Sequence, residues 1–347
     1  SDRLIDSSDT TRVRHGLQSI GCRIGPQDGS VLGERTDVVV ASTAIEEDNP
    51  DIVAARRRCI PVVHRSDVLA ACVDGAQAIA VAGTSGKSSV TALCFELLCA
   101  CGKEPSLIAG ADLICLTDKG LIGNAFAGDS DLLVVEADES DGSLVKYHPH
   151  IGLFLNVSKD HKPIAETMEL FETLRGQSEV VIVNDDDPRV RELPSQFSFG
   201  GTSRADIYPR RVETLTPRIR VTIEDRVFEF PSMGKHNLSN LLAAVCVCRR
   251  LGCSLERLAA AAANYRGLKR RFEVVGSVGG ITVIDDFAHN PAKLSAAIGT
   301  AQNMGRRVLA VFQPHGFGPT RFLKDELVET LGRVLRQKDT FYALPIY

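Results

Sequence analysis

Apolar residues fall along this chain in short β-branched runs, separated by stretches in which they recur at helical spacing. That pattern predicts strands alternating with helices, an α/β fold built on parallel sheet. Residues 1–75 read as one such unit: a helix from Thr10 to Ser19 ending near Gly21, a strand from Asp37 to Ala41 and a shorter one from Ile60 to Val63. Residues 76–267 form the second. It opens with the strand Ala78–Ala82, turns through glycines at Gly83 and Gly86, and enters a helix from Lys87 to about Cys101. Further strands are predicted at Leu132–Glu136, Ile151–Val157 and Val180–Asn184. Tyr208–Phe230 alternates apolar and polar positions, as an antiparallel addition does. Asn237–Asn264 predicts two helices with Gly252 between them. In residues 268–347 the order strand, helix, strand, helix, strand returns at Gly280–Asp285, Pro291–Ala301, Arg307–Phe312, Phe322–Leu335 and Thr340–Leu344. The opening at Ser1 without a methionine, and the end at Tyr347 just past a strand, are the expectation for part of a longer protein.

Composition narrows the function. The 347 residues are 44% hydrophobic and 24% charged, with a formal net charge of -4. The pI is about 6.1. This is not the basic footprint of a protein held on a phosphate backbone, so nucleic acid is not an expected partner. No apolar run approaches the roughly 20 residues needed to cross a bilayer, which predicts a cytoplasmic protein without a membrane partner. The 10 cysteines contain no C-x-x-C pair, and several lie in apolar helical stretches; buried reduced thiols are expected.

Three segments carry chemistry. Gly83-Thr84-Ser85-Gly86-Lys87-Ser88, continuing to Ser89, lies between a strand and a helix. Small residues there let backbone N–H groups close around phosphate oxygens, the lysine supplies charge, and the serine hydroxyl can reach Mg2+. Val134–Asp141 places Glu136, Asp138, Glu139 and Asp141 at the end of an apolar strand, where open α/β sheets bind ligands. Glu136 is the first choice for a Mg2+ ligand. His161 follows the next strand, at Asp160-His161, and is a candidate second ligand. His15, His64, His148 and His150 have no such setting and read as structural or surface residues.

Taken in order, GTSGKS at 83–88, EADESD at 136–141, DH at 160–161, GKHN at 234–237, RRFE at 270–273 and DDFAHNP at 285–291 resemble the Mur ligase family over nearly the whole chain. ASTAIEEDNP at 41–50 and FQPH at 312–315 are most similar to its alanine-adding members. The resemblance implies three domains: a central ATP-binding P-loop domain flanked by Rossmann-like units that are both incomplete here. It implies an ATP- and Mg2+-dependent ligase of peptidoglycan precursor synthesis, joining a UDP-N-acetylmuramate-type nucleotide sugar to an amino acid through an acyl phosphate, as a monomer or weak homodimer. Carried over, Lys87 and Ser88 serve phosphate and metal, Glu136 and His161 hold metal, Asn237 contacts adenine, and Arg271 and Asp286 complete the ATP site. Ser42, Thr43, Ala44, Ile45, His289 and Arg321 face substrate. Ser85 stands where histidine is usual, Asn290 replaces the second residue of a His-His pair, and Gly316 and Pro319 occupy basic positions. These departures leave open a ligase for another amino acid or a recycled peptide, and a nucleotide-binding relative without ligase activity.

Overall fold

The structure, a computed structural model, describes residues 11–159 and 162–346. Thr10 and His161, both named above, lie outside the described residues. The helix Thr11–Ser19 precedes a parallel strand pair, Val39–Ala41 with Val62–His64. Two further helices complete the N-terminal unit. Pro50–Arg57 starts at Asn49, whose carboxamide oxygen accepts from Asp51 N at 3.0 Å. Arg65–Asp74 starts at His64: Ser66 N donates to its Nδ1 at 3.3 Å, and Asp67 Oδ2 accepts from its backbone N–H at 3.1 Å.

At the centre is a seven-stranded sheet ordered Ala125–Phe126, Ser106–Ile108, Leu132–Ala137, Gln77–Ala82, Ile151–Phe154, Val180–Asn184 and Phe197–Phe199. All neighbours pair in parallel except the edge strand Ala125–Phe126. Strands buried on both faces need unbroken apolar sequence, and Gln77–Ala82 has five consecutive fully buried residues after Gln77. One face, carrying Ile79, Val81, Val134 and Leu153, packs on the helices Lys87–Ala100 and Lys235–Arg250. The opposite face, carrying Ala80, Ala82, Val135 and Phe154, packs on Arg65–Asp74 and Ile164–Gln177.

A three-stranded antiparallel sheet, Pro209–Leu215, Arg218–Ile223 and Arg226–Phe230, extends the first core. Arg218 and Arg220 point to solvent while Ile219, Val221 and Ile223 are buried in that core, and the helix Leu255–Ala262 packs on the strand Arg226–Phe230. This is the alternation the sequence displayed. The C-terminal unit has a hairpin, Glu273–Val278 with Ile281–Asp285, and a parallel pair, Leu309–Phe312 with Thr340–Ala343. Helices Pro291–Met304 and Phe317–Val334 pack together through Leu294, Leu323 and Leu327. Among the described residues all the cysteines are free thiols; Cys94, Cys101, Cys246, Cys248 and Cys253 are buried as expected, whereas Cys22, Cys59, Cys72 and Cys99 are exposed, and no helix is long and apolar enough to cross a membrane.

The strap between the central and C-terminal units is held by backbone: Ile114 N donates to Gly267 O at 3.1 Å and Lys269 N to Asp112 O at 2.9 Å. Glu96, from the helix Lys87–Ala100, also accepts from Arg266 N at 3.2 Å. Burial pushes the Glu96 carboxyl up to about 7 despite the Arg266 contacts. A carboxyl whose folded pKa lies above its unfolded value of about 4.3 adds stability below that value. It loses that contribution as pH rises through about 7. Glu96→Gln keeps an acceptor for Arg266 and removes the buried charge. Thermal unfolding at pH 8.5 should therefore show the variant more stable than the parent by about 2–3 kcal/mol, the gap closing towards pH 5.

Candidate active site

Three neighbouring strands of the central sheet, Leu132–Ala137, Gln77–Ala82 and Ile151–Phe154, end side by side. Their carboxyl ends therefore deliver residues 83–88, 136–141 and 155–159 to one place.

The loop 83–86 is shaped by its glycines. Gly83 and Gly86 have φ of 154° and 89°. A Cβ on Gly83 would lie 2.9 Å from Leu155 Cβ, and one on Gly86 2.8 Å from Asn240 Oδ1. Asn156 holds the loop from the neighbouring strand end. Its Oδ1 accepts from Ser85 N at 3.0 Å and Thr84 Oγ1 at 3.1 Å, and its Nδ2 donates to Ser85 O at 2.8 Å. Ser158 N donates to Thr84 Oγ1 at 2.9 Å. The helix Lys87–Ala100 begins directly after Gly86, directing its positive end at the loop, with Ser89 half-buried in the first turn.

Lys87 is nearly enclosed, with 12% of its side chain exposed. Its Nζ donates to Glu139 Oε2 at 2.7 Å and lies 3.3 Å from Asp138 Oδ1. Burial opposes the ammonium, but the attraction of Glu139 and Asp138 outweighs it and the Lys87 pKa is raised. The two carboxylates respond differently. Burial dominates at Glu139 and raises its pKa. At the more exposed Asp138, burial is outweighed by Lys87 and by contacts from Ser140, and the pKa falls. The ammonium is thus held charged at the strand ends.

Glu136 sits beside the loop rather than on Lys87. Its Oε1 accepts from Ser88 Oγ at 3.2 Å and its Oε2 from Gly110 N at 2.8 Å. Among the described residues, no group of three or more His, Cys, Asp and Glu side chains is arranged to hold a metal. A hydroxyl and a carboxylate oxygen so close together nonetheless fit Mg2+, which takes one or two protein oxygens and completes its shell with water and phosphate.

Asn237, in the first turn of the helix Lys235–Arg250, donates to Met233 O at 2.7 Å. It also accepts from Asn240 Nδ2 at 3.5 Å, and Asn240 in turn abuts Gly86. Asp286 accepts from Phe272 N at 2.7 Å and Ala288 N at 2.8 Å; burial raises its pKa against those contacts. The Arg271 guanidinium lies 5.3 Å from the Phe287 ring, which meets the His289 ring edge-on at 5.4 Å. Arg321 is exposed at the start of the second turn of the helix Phe317–Val334. Ser42, Thr43, Ala44 and Ile45 form the turn after the strand Val39–Ala41, closed by Ile45 N on Ser42 O at 3.1 Å. Sequence reasoning had not assigned Asn156, Ser158, Asn240 or the Glu139 pair. Asn156 was visible only as a polar residue near the end of the predicted strand Ile151–Val157.

Comparisons with known proteins establish the family. Residues 18–77 match the family described as Mur ligase family, catalytic domain, residues 81–248 the Mur ligase middle domain, and residues 270–344 the Mur ligase, glutamate ligase domain. The chain belongs to the Mur ligase family. A UDP-N-acetylmuramate–L-alanine ligase of Thermosynechococcus vestitus is 37% identical over 305 residues, covering 82% of this chain and 63% of that protein. The enzyme of the same name from Nostoc punctiforme is 35% identical over 352 residues, covering 92% and 72%. This Mur ligase chain thus spans under two thirds of the first of those relatives and nearly three quarters of the second. The solved structure of a UDP-N-acetylmuramate–alanine ligase from Thermotoga maritima superposes with a TM-score of 0.76 at 22% identity, covering 97% of this chain and 86% of that one. A murein peptide ligase from Psychrobacter arcticus gives 0.70 at 19% identity, covering 98% and 84%. The three-domain fold of the family is therefore shared over nearly all of the chain.

Proposed function

We propose that the protein is an ATP-dependent ligase that activates the carboxylate of a UDP-N-acetylmuramate-type nucleotide sugar and joins it to an amino acid, L-alanine first, in peptidoglycan precursor synthesis. The observation that carries the reading is the pairing of Lys87 with Glu139 and of Ser88 with Glu136 beside a glycine loop braced by Asn156.

A carboxylate is a poor electrophile, so one of its oxygens first attacks the γ-phosphorus of ATP and ADP leaves. Lys87 and the amides of residues 86–88 at the start of the helix would stabilise the charge spread over the phosphoryl oxygens. Mg2+ held by Ser88 and Glu136, with His161 as a further candidate ligand, would supply electrostatic neutralisation of the phosphate oxygens. The amine then attacks the acyl carbon, phosphate leaves, and the amide remains. Arg271 and Asp286 would reach the nucleotide, and Asn237 its adenine side. Ser42, Thr43, Ala44 and Ile45 would face the uridine nucleotide, with His289 and Arg321 near the acceptor. Action as a cytoplasmic monomer or weak homodimer belongs to the same proposal.

A second reading concerns the amine. Gly316, with φ of 78° and no side chain, begins the helix that carries Pro319 and an exposed Phe317. Two charge-assisted anion contacts are replaced there by residues that cannot make them, which favours a different amino acid or a peptide. Incubation with ATP, Mg2+ and UDP-N-acetylmuramate, varying the amine and weighing the product, tests both readings. A new amide formed with stoichiometric ADP is the expected outcome, and its mass identifies the amine. ATP binding with no amide from any amine would overturn the ligase reading.

A further inference from the structure

We propose that Lys159 is a positioning residue that latches the C-terminal unit onto the phosphate loop through Phe322 and Glu326. The inference rests on the ATP site argued above only for its consequence; the contact itself is independent of it.

Lys159 Nζ lies 2.9 Å from Glu326 Oε1 and 4.3 Å from the centroid of the Phe322 ring. Phe322 and Glu326 are four residues apart on the helix Phe317–Val334, so they share one face and grip the ammonium from two directions. Phe322 is 56% exposed, so its ring face is open to the ammonium. On its other side Lys159 follows Ser158, whose N–H binds Thr84 Oγ1 at 2.9 Å. Asn156, three residues back, holds Ser85. The segment 156–159 therefore touches the phosphate loop at one end and the C-terminal helix at the other.

The consequence follows from where the nucleotide contacts lie. Lys87, Ser88 and Glu136 belong to the central unit, whereas Arg271 and Asp286 come from beyond the strap at residues 266–269. A site divided in this way is complete only while the two units stay together, and its apparent affinity scales with the fraction of molecules in that state. The latch raises that fraction. An exposed ion pair and a cation–π contact are each modest, and losing both together changes such an equilibrium by about tenfold.

The full chain can be titrated with a nonhydrolysable ATP analogue and Mg2+, following binding by calorimetry and the radius of gyration by X-ray scattering. Lys159→Met should have the larger radius without nucleotide and need about ten times more analogue for half-maximal compaction. Lys159→Arg, which keeps the charge and stacks on rings, should return to within about twofold of the parent. In a Phe322→Leu/Glu326→Gln background, Lys159→Met should change nothing further. Scattering identical to the parent's with normal binding would overturn the latch. So would a defect that Lys159→Arg fails to restore. If the parent does not bind the analogue while Lys159→Met still opens, the latch stands and the nucleotide reading falls.

Discussion

Lys87→Ala should lower ATP-dependent turnover by about 10²–10³-fold, the range found when one preorganised group is removed from developing charge. The substitution also strips the counter-charge from Glu139, which is 3% exposed and whose pKa burial already raises. A buried carboxyl left without its cation takes up a proton rather than keep its charge. The fold should therefore survive, with a lower melting temperature that Glu139→Gln partly restores. Turnover should not recover in the double variant, because the role proposed for the ammonium is at the phosphate, which Glu139→Gln does not replace. Steady-state rates, thermal melts and circular dichroism on the two proteins separate these effects. A Lys87→Ala enzyme turning over at the parent's rate would remove the lysine from the mechanism.

What could be read beforehand was what is local. The strand, glycine turn and helix from residue 77 to 100 form one continuous stretch, and each member predicts the next. Glu136 could be chosen because a strand end is itself a local feature. Its neighbours could not be sorted, since four carboxylates in six residues look alike in sequence. Folding distinguishes them by what arrives from elsewhere: Glu139 is buried on Lys87, Asp138 is half-exposed beside it, and Asp141 pairs with Arg65 of the N-terminal unit at 2.6 Å.

Boundary differences have similar causes. The apolar run predicts a strand from Ile151 to Val157, but the strand stops at Phe154. Beyond it, Leu155 N still reaches Ala82 O at 2.9 Å, while Asn156 and Ser158 turn to hold the loop. The hairpin strand Glu273–Val278 was not anticipated, because valines 274, 275 and 278 are all exposed and show no alternation. The helix Phe317–Val334 starts five residues before the expected Phe322, its first turn containing Gly318 and Pro319. Proline is tolerated there because first-turn N–H groups lack helical partners.

Asn156 gives the sharper test of whether the loop must be preformed. Its carboxamide accepts twice, from Ser85 N and Thr84 Oγ1, and donates once, to Ser85 O; that combination of roles suits an amide and no other side chain of its size. Asn156→Asp keeps the shape and both acceptor contacts but replaces the donor with an oxygen 2.8 Å from a carbonyl. It also brings a negative charge to the loop proposed to hold phosphate. Repulsion of the carbonyl should distort the Ser85 peptide, and the charge should oppose phosphate. Together these predict a loss of ATP affinity of about a hundredfold, with a smaller loss for Asn156→Ala, which forfeits the contacts without adding charge. Raising ionic strength should recover part of the Asp defect and none of the Ala defect, since salt screens the charge but cannot replace a hydrogen bond. Calorimetric titration at two salt concentrations would show it. Equal, salt-independent losses in the two variants would mean that Asn156 supports the loop by packing alone.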